Sequence, residues 1–198
     1  MTTFFLVRHA AHDLVDHVLV GRMPGVTLGH RGHAQAAGLA QRLCGERITA
    51  VQSSPRERAR ETAAPIAARN GLPIEIVDAV DELDAGEWTG QPFTSLANDP
   101  DWTLWNAERA TARPPSGESM GELQHRMIRH LCMAHDAAPE GRIAIVTHAE
   151  PIRAALLHTL DVPLGDFAQI EVAPASVSTI RMEHGAAAVV AINETGAP

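Results

Sequence analysis

The chain of 198 residues has 16 basic and 24 acidic side chains, and its formal net charge of −8 argues against general nucleic-acid binding. All of its basic residues are arginine. The absence of lysine and tyrosine excludes lysine Schiff-base chemistry, a lysine-bearing phosphate loop and a tyrosine nucleophile. Hydrophobic residues make up 45% of the chain without any apolar run of about 18 residues, so we expect no membrane span.

The length is that of one ordinary domain, and we predict a single domain over residues 1–198. The amino terminus has no basic stretch followed by an apolar one, which favours a cytoplasmic protein. Cys44 and Cys132 lack a partner at a metal-binding or disulfide-framework spacing. We interpret both as thiols of the core rather than as a disulfide.

Strand and helix signals alternate along the first part of the chain. The first predicted strand covers residues 3–7, and a glycine-rich loop leads to a helix over residues 30–43. A short strand is predicted over residues 49–52. A helix with Pro55 at its first position follows, and a third strand covers residues 74–77.

The alternation resumes after an irregular segment. Residues 78–115 are predicted as an excursion over the carboxyl edge of the sheet. A long helix to about Ala137 follows, then a strand over residues 142–147 and a helix over residues 151–160. The tail is predicted as an antiparallel hairpin over residues 176–192 at the sheet edge.

This alternation predicts an α/β fold of three layers, with helices on both sides of a mostly parallel sheet that has an antiparallel edge hairpin. Ligands of such sheets bind beyond the carboxyl ends of the strands. Two predicted strands end in histidine, at His9 and at His148, and Arg8 precedes the first. Either histidine alone would be interpreted as a hydrogen-bonded residue at a strand end. Together with Arg8 they predict an active site.

The pairing of Arg8 with His9 suits phosphoryl transfer to a ring nitrogen. A neutral imidazole is a nucleophile near neutral pH, and a guanidinium holds a tetrahedral oxyanion through two donors. Such a reaction also needs further cationic donors and an acid that protonates the leaving oxygen. We expect the rate to fall between about pH 7 and pH 5 as His9 becomes protonated.

Further arginines and acids are candidates for these two roles. The helix after the second strand starts with Arg56, Arg58 and Arg60, which cannot all point in one direction. We expect one of them to serve the site and the others to pair with acids or water. The candidate acids are Asp81, Glu82, Asp84, Glu87 and Glu150. The spacing of these acids does not choose among them.

Five sequence motifs occur in order along the chain. They are Arg8-His9, the Ser-x-x-x-Arg-Ala-x-x-Thr-Ala pattern of residues 54–63, Glu82-x-x-x-Gly86-x-Trp88-x-Gly90, Gly117-Glu118-Ser119 and Val146-Thr147-His148. Together they span nearly the whole chain and resemble the motifs of the histidine phosphatase superfamily. The resemblance implies a phosphoglycerate mutase-like fold.

The resemblance also implies a role for each matched residue. His9 would be the nucleophile that forms a phosphohistidine, while Arg8, Arg58 and His148 would bind the phosphoryl oxygens. Glu82 would be the general acid and then the base that activates water. No metal and no other cofactor is implied, since the arginines and His148 supply the charge.

The chain departs from the family pattern next to both histidines. Ala10, Ala11 and His12 stand where the family often has a glycine, an acidic residue and a hydroxyl-bearing residue. His12 is a candidate replacement for that hydroxyl. The glycine pair that commonly follows the second histidine is here Ala149-Glu150. Glu150 is therefore a candidate selector of a cationic or hydroxyl-bearing substrate group.

Other residues of interest have alternative interpretations. The chain has three tryptophans, Trp88, Trp102 and Trp105. They either form a wall of a substrate pocket or pack beneath the loop. Arg109 and Arg113 lie on the same excursion, and we interpret them as solvated rather than as substrate selectors. His30 and His33 are spaced like metal ligands, but they lack an accompanying carboxylate or cysteine cluster, so we interpret them as surface residues.

The predicted function is that of a phosphomonoesterase, a metal-independent hydrolase of the histidine acid phosphatase type, acting through a phosphohistidine on a small phosphorylated substrate. One alternative is phosphoglycerate mutase-type transfer, in which the phosphoryl group returns to the substrate. Another is a catalytically weak module that binds a phosphorylated ligand. We expect no nucleic-acid or membrane partner, and the terminal hairpin or a helix face would support a homodimer.

Overall fold

A computed structural model describes residues 1–195, so the last three residues of the domain predicted over residues 1–198 lie outside it. Within residues 1–195, six strands form one sheet. They are β1 (Thr2–Arg8), β2 (Ala50–Ser53), β3 (Ile74–Ile76), β4 (Arg142–Thr147), β5 (Ser176–Glu183) and β6 (Ala186–Thr195). Their spatial order is β3-β2-β4-β1-β5-β6. The strands β1 to β4 run parallel to one another, and β5 runs antiparallel to its neighbours β1 and β6, which confirms the predicted mostly parallel sheet with its antiparallel edge hairpin.

The helices of this region are α1 (His30–Leu43), α2 (Glu57–Asn70), α3 (Phe93–Leu96), α4 (Pro100–Ala107), α5 (Met120–Ala137) and α6 (Ala149–Thr159). The four longer helices, α1, α2, α5 and α6, confirm the predicted alternation. The segment predicted as irregular contains α3 and α4. The side chain of Asp99 caps α4, and Pro100 is its first residue, so a local start signal was present there.

Side-chain alternation along β1 explains the three layers. Phe4 and Leu6 contact the apolar side of α5 and α6, whereas Phe5 and Val7 contact that of α1 and α2. These four side chains are at most 5% exposed. Each contributes about 1.5–3 kcal/mol to stability through the hydrophobic effect, so helices are needed on both faces of the sheet.

The start of α2 lies two residues beyond the predicted position. Pro55 stays outside the helix because Arg56 has an extended backbone, with φ −70° and ψ 141°. This conformation allows Arg56 Nε to donate to both carboxylate oxygens of Asp81, each at 3.0 Å. A tertiary ion pair therefore decides where this helix begins.

The excursion between β3 and α5 covers the carboxyl edge of the sheet. It is joined to the start of α5 by hydrogen bonds from the Glu87 amide to the Pro115 carbonyl and from the Glu118 amide to the Asp84 carbonyl. Gly86 lies at this junction with φ +52°, and a Cβ there would lie 2.0 Å from the Pro115 carbonyl oxygen. A glycine is therefore required where the two segments meet.

The interpretation of the cysteines as core thiols is wrong, because Cys44 and Cys132 are both exposed. Cys132 lies in α5, and Cys44 lies in the 3₁₀ turn that follows α1. The helix α5 buries other side chains against the sheet and leaves Cys132 in solvent, and the short turn buries none of its residues. Within the described part of the chain, none of the helices is long and apolar enough to cross a membrane.

Candidate active site

The carboxyl ends of β1 and β4 place two histidines side by side. Arg8 is paired with Thr147 across these neighbouring parallel strands, and the His9 amide donates to the Thr147 carbonyl at 2.9 Å. The imidazole rings of His9 and His148 consequently lie with their centroids 5.1 Å apart, edge to face. Both rings are buried. Residues 139 positions apart in sequence thus share one site through strand order.

The surroundings of His9 select one tautomer of its ring. Nδ1 lies 2.9 Å from the Ala10 carbonyl oxygen, which only accepts, so Nδ1 carries the proton. Nε2 therefore keeps a lone pair, and Arg58 Nε lies 3.4 Å from it. Burial, followed by the charges of Arg58 and Arg8, holds the pKa of His9 well below its usual value of 6.5. His9 is thus a neutral imidazole at physiological pH, and its unprotonated Nε2 accepts a hydrogen bond from Arg58 Nε.

Two arginines surround this nitrogen with unused donors. Arg58 is 1% exposed, and its Nη2 donates to the Gly21 carbonyl at 2.7 Å and to His148 Nδ1 at 3.1 Å. Arg8 donates through Nη1 to the Val172 carbonyl at 2.5 Å. Within residues 1–195, Arg58 Nη1 and Arg8 Nε are buried without a hydrogen-bond partner. Buried unpaired guanidinium donors are costly unless an anion binds to them.

His148 connects the arginine to a buried carboxylate. Because Arg58 is always a donor, His148 Nδ1 accepts and its Nε2 carries the proton. Nε2 donates to Ser54 Oγ at 2.7 Å, and Ser54 in turn donates to Asp81 Oδ1 at 2.9 Å. Burial and the Arg58 charge lower the pKa of His148 well below 6.5. Asp81, which also pairs with Arg56, is thus engaged in holding His148 and not free as an acid.

Glu82 is the acid that the structure places in the cleft beside His9. Its Oε1 accepts from the Leu83 amide at 2.8 Å. Burial, followed by the nearby Glu150 charge, raises the pKa of Glu82 from 4.5 to about 7. Its backbone carbonyl accepts from Arg22 Nε at 2.8 Å and from Arg126 Nη2 at 3.0 Å, so the loop is held from two sides.

The Gly117-Glu118-Ser119 motif is connected to Glu82 through these two arginines. Glu118 binds Arg126 through both carboxylate oxygens, at 2.7 and 2.9 Å, and accepts from Arg22 at 3.0 Å. Glu118 therefore positions Glu82 without touching the cleft. Two of the other acids that the spacing left open lie outside this site: Asp84 pairs with Arg22, and Glu87 is exposed and accepts from a serine hydroxyl. Glu150 lines the same cleft as Glu82.

The cleft above His9 has a volume of about 400 Å³ and two chemically different ends. One end contains Arg8, His9, Arg58 and Glu82. The other end is an aromatic wall formed by Phe93, Trp88, Trp102, Trp105 and Phe167. The three tryptophan rings also pack on one another, with centroids 5.3–5.7 Å apart. Both interpretations of the tryptophans thus hold, since one cluster supports the loop and lines the pocket.

Arg109 is a residue whose environment the sequence did not reveal, and its interpretation as solvated is wrong. Arg109 is 6% exposed, and its Cζ lies 3.4 Å from the Trp105 ring centroid and 4.0 Å from that of Phe167. It lines the cleft and pairs with Glu150 at 3.2 Å. Stacking on Phe167, which lies 58 positions away in sequence, draws it inwards. Arg113 is exposed and pairs with a surface glutamate, in agreement with its interpretation.

The residues that depart from the family pattern also line the cleft. His12 is 8% exposed and stacks on His9, with centroids 5.4 Å apart and a 26° angle between the rings. Burial and the two active-site arginines lower its pKa from 6.5 to about 4. Ala149 and Glu150 also line the cleft, at the start of α6.

Across residues 1–195, the side chains form no group of three or more that would hold a metal, and both His30 and His33 are exposed.

The chain belongs to the histidine phosphatase superfamily (branch 1), whose family model matches residues 4–195. Phosphoserine phosphatase 1 of Hydrogenobacter thermophilus is 30% identical to it over 200 residues, covering 98% of this chain and 93% of that protein. The residues of all five motifs lie within the matched range, and the fold is the phosphoglycerate mutase-like fold that they implied.

Solved structures show the same fold. Bacillus stearothermophilus YhfR superimposes with a TM-score of 0.91 at 24% identity, covering 98% of each chain. A phosphoserine phosphatase of Entamoeba histolytica in complex with 3-phosphoglyceric acid has a TM-score of 0.88 at 22% identity, again over 98% of each chain. At these identities the likeness concerns the fold alone.

Proposed function

We propose that this protein is a phosphomonoesterase that uses His9 as the nucleophile. The observation that carries the proposal is the neutral His9 with an unprotonated Nε2, beside buried unpaired donors on Arg58 and Arg8. These groups match a phosphoryl group, which needs a nucleophile on one side and cationic donors around its oxygens. The charge comes from arginine, so the proposed reaction needs no metal.

The proposed reaction has two steps. In the first, His9 Nε2 attacks phosphorus, the P–N bond forms, the ester P–O bond breaks and Glu82 gives its proton to the leaving alcohol oxygen. In the second, water attacks phosphorus, the P–N bond breaks and Glu82 takes the proton of that water. Arg8, Arg58 and His148 bind the phosphoryl oxygens in both steps.

The relatives support a small substrate rather than a phosphorylated macromolecule. One is named for phosphoserine, and one structure holds 3-phosphoglyceric acid. The cleft of about 400 Å³ has room for a phosphoryl group and a modest organic portion. We therefore propose small phosphomonoesters as substrates. Phosphoryl return to the substrate and binding without turnover are the alternatives that the experiment must separate.

The test is release of inorganic phosphate from a panel of small phosphomonoesters, with a chelator present. We expect release that the chelator does not diminish. A trapped phosphohistidine without phosphate release would instead favour mutase-type transfer. Binding of vanadate with neither phosphohistidine nor release would favour a binding module.

Glu82 gives the proposed reaction a defined pH dependence. A general acid must hold its proton, and with a pKa of about 7 the protonated fraction of Glu82 falls as pH rises through 7. We expect kcat/KM for alkyl phosphates to decline above pH 7. Because the pKa of His9 is held well below 6.5, the fall between pH 7 and 5 expected from the sequence should be absent. A pH profile of kcat/KM measures both the decline above pH 7 and the absence of a fall between pH 7 and 5.

Glu82→Gln separates the role of this acid from that of substrate binding. We expect turnover of alkyl phosphates to fall by about 10²–10⁴-fold, while p-nitrophenyl phosphate, whose leaving group needs no proton, still gives a burst of nitrophenol. Glu87→Gln, at the exposed acid five residues further on, is the matched control and should behave like the wild type. Equal losses in the burst-phase rate on both kinds of ester would show that Glu82 is not the acid.

A further inference from the structure

The end of the cleft away from His9 holds a charged group that the proposed mechanism does not use. We name Trp105, Arg109, Glu150, Arg153 and Phe167 the distal subsite. Arg109 is fixed between the two aromatic rings, and Arg153 Cζ lies 5.8 Å from the Phe167 centroid. All five line the cleft. The position of Glu150 therefore depends on two immobilised cations.

Only one of the two carboxylate oxygens of Glu150 has partners. Its Oε1 lies 2.7 Å from Arg153 Nη1 and 3.2 Å from Arg109 Nη1. Within residues 1–195, its Oε2 is buried and has no hydrogen-bond partner. The two guanidinium charges lower the pKa of Glu150 below 4.5 in spite of burial, so the group is ionised at neutral pH. An ionised carboxylate only accepts hydrogen bonds, and a buried one without a donor is unfavourable.

The surroundings of Glu150 indicate what kind of molecule would supply the donor. The aromatic side chains of Trp102, Trp105 and Phe167 line the same end of the cleft, where Arg109 stacks on the latter two. Aromatic side chains bind hydrocarbon and ring surfaces. The helix start also places Glu150 two residues after His148, so a ligand bound at the phosphoryl site has its organic portion close by. One small substrate would contact both ends.

We propose that Glu150 Oε2 selects phosphomonoesters whose alcohol portion carries a hydrogen-bond donor, a hydroxyl or an ammonium group, attached to an apolar body that packs on the aromatic wall. This inference rests on the proposed function, because it assumes that the phosphoryl group binds at His9. Arg109 and Arg153 are positioning residues in this scheme. They bind Oε1 and so leave Oε2 for the substrate.

The test uses benzyl phosphates that differ only in one ring substituent. The ethyl, hydroxymethyl and aminomethyl derivatives are nearly equal in size, and their ortho, meta and para isomers sample different distances from the phosphate. We expect kcat/KM of at least one donor-bearing isomer to exceed that of its ethyl partner by about tenfold or more, as for a hydrogen bond to a charged group. The better of the two donors identifies the hydroxyl or the ammonium class.

Variants of Glu150 show whether this preference comes from its carboxylate. Glu150→Gln should reduce the preference and Glu150→Ala should remove it, while turnover of unsubstituted benzyl phosphate continues. The control is Glu140→Gln, at an exposed glutamate in the turn after α5, which should keep the wild-type preference. Donor and ethyl esters within threefold of each other in the wild type would overturn the proposal, as would a preference that survives in both Glu150 variants.

A binding measurement separates this inference from the proposed function. The same esters are titrated by calorimetry against the wild type and against His9→Ala, which retains the distal subsite. If donor-bearing esters bind with a lower Kd and no ester is turned over, the proposed phosphatase activity is wrong and the role of Glu150 is supported. Turnover without a donor preference in kcat/KM or Kd would support the phosphatase activity and contradict the role of Glu150.

Discussion

The His9→Ala protein should release phosphate from every tested ester at least roughly 10⁴-fold more slowly than the wild type, the scale of losing a nucleophile. The reason is geometric: Nε2 of His9 is the unprotonated ring nitrogen beside the unpaired donors of Arg58 and Arg8. The change removes the atom that would form the P–N bond. Alkaline quenching of a reaction with ³²P-labelled ester should trap phosphoenzyme in the wild type and none in the variant.

The matched control for this change is His33→Ala, because His33 is exposed on α1 and lies outside the cleft. It should keep wild-type turnover and phosphoenzyme. Vanadate binding checks that the arginines of the His9→Ala site remain in place. Phosphoenzyme in His9→Ala would assign the nucleophile to another residue, and the neighbouring ring of His12 would be examined next.

Arg58→Ala should lower kcat/KM by roughly 10²–10³-fold, the scale of losing one preorganised donor. Arg58 serves the site twice. Its unpaired Nη1 is the donor that we propose for the phosphoryl group, and its Nη2 contacts His148 Nδ1 at 3.1 Å. Weaker binding of both vanadate and phosphate should accompany the loss, because these ligands meet the same donors. Steady-state kinetics and titration with vanadate measure the two effects.

Arg60→Ala is the internal control for Arg58. The two arginines share the first turns of α2, but Arg60 is exposed while Arg58 is 1% exposed. Only the Arg58 change should affect activity, since residues two apart on a helix point in different directions. Comparable losses in both variants would mean that the defect arises from the helix rather than from the guanidinium of Arg58.

Asp81 and Glu82 illustrate what sequence spacing left undecided. Both are acids of one short segment, and spacing alone offered no choice between them. In the structure Asp81 is bound by Arg56 and Ser54, whereas Glu82 lies in the cleft with its pKa raised to about 7. The family resemblance chose Glu82, and the physical reason is that two strong partners already occupy Asp81.

The burial of Arg109 in the distal subsite could not be found from sequence for a different reason. Arg109 lies on an excursion rich in polar residues, where a solvated arginine is the ordinary case. Its burial depends on Phe167 and Glu150, which lie far from it in sequence. Such a contact forms only after the sheet has brought the two segments together, and no local pattern encodes it.

By itself, the sequence determined the layered α/β fold, the mostly parallel sheet and the bounds of β4, because hydrophobic periodicity and strand length are local properties. It also pointed to His9 and His148 as partners, since parallel strands end at one edge. Tertiary structure alone decided the tautomer of His148, the start of α2 at Glu57, and the burial of Arg109. These depend on hydrogen bonds and stacking between distant residues, whose energies exist only when the packed chain excludes water.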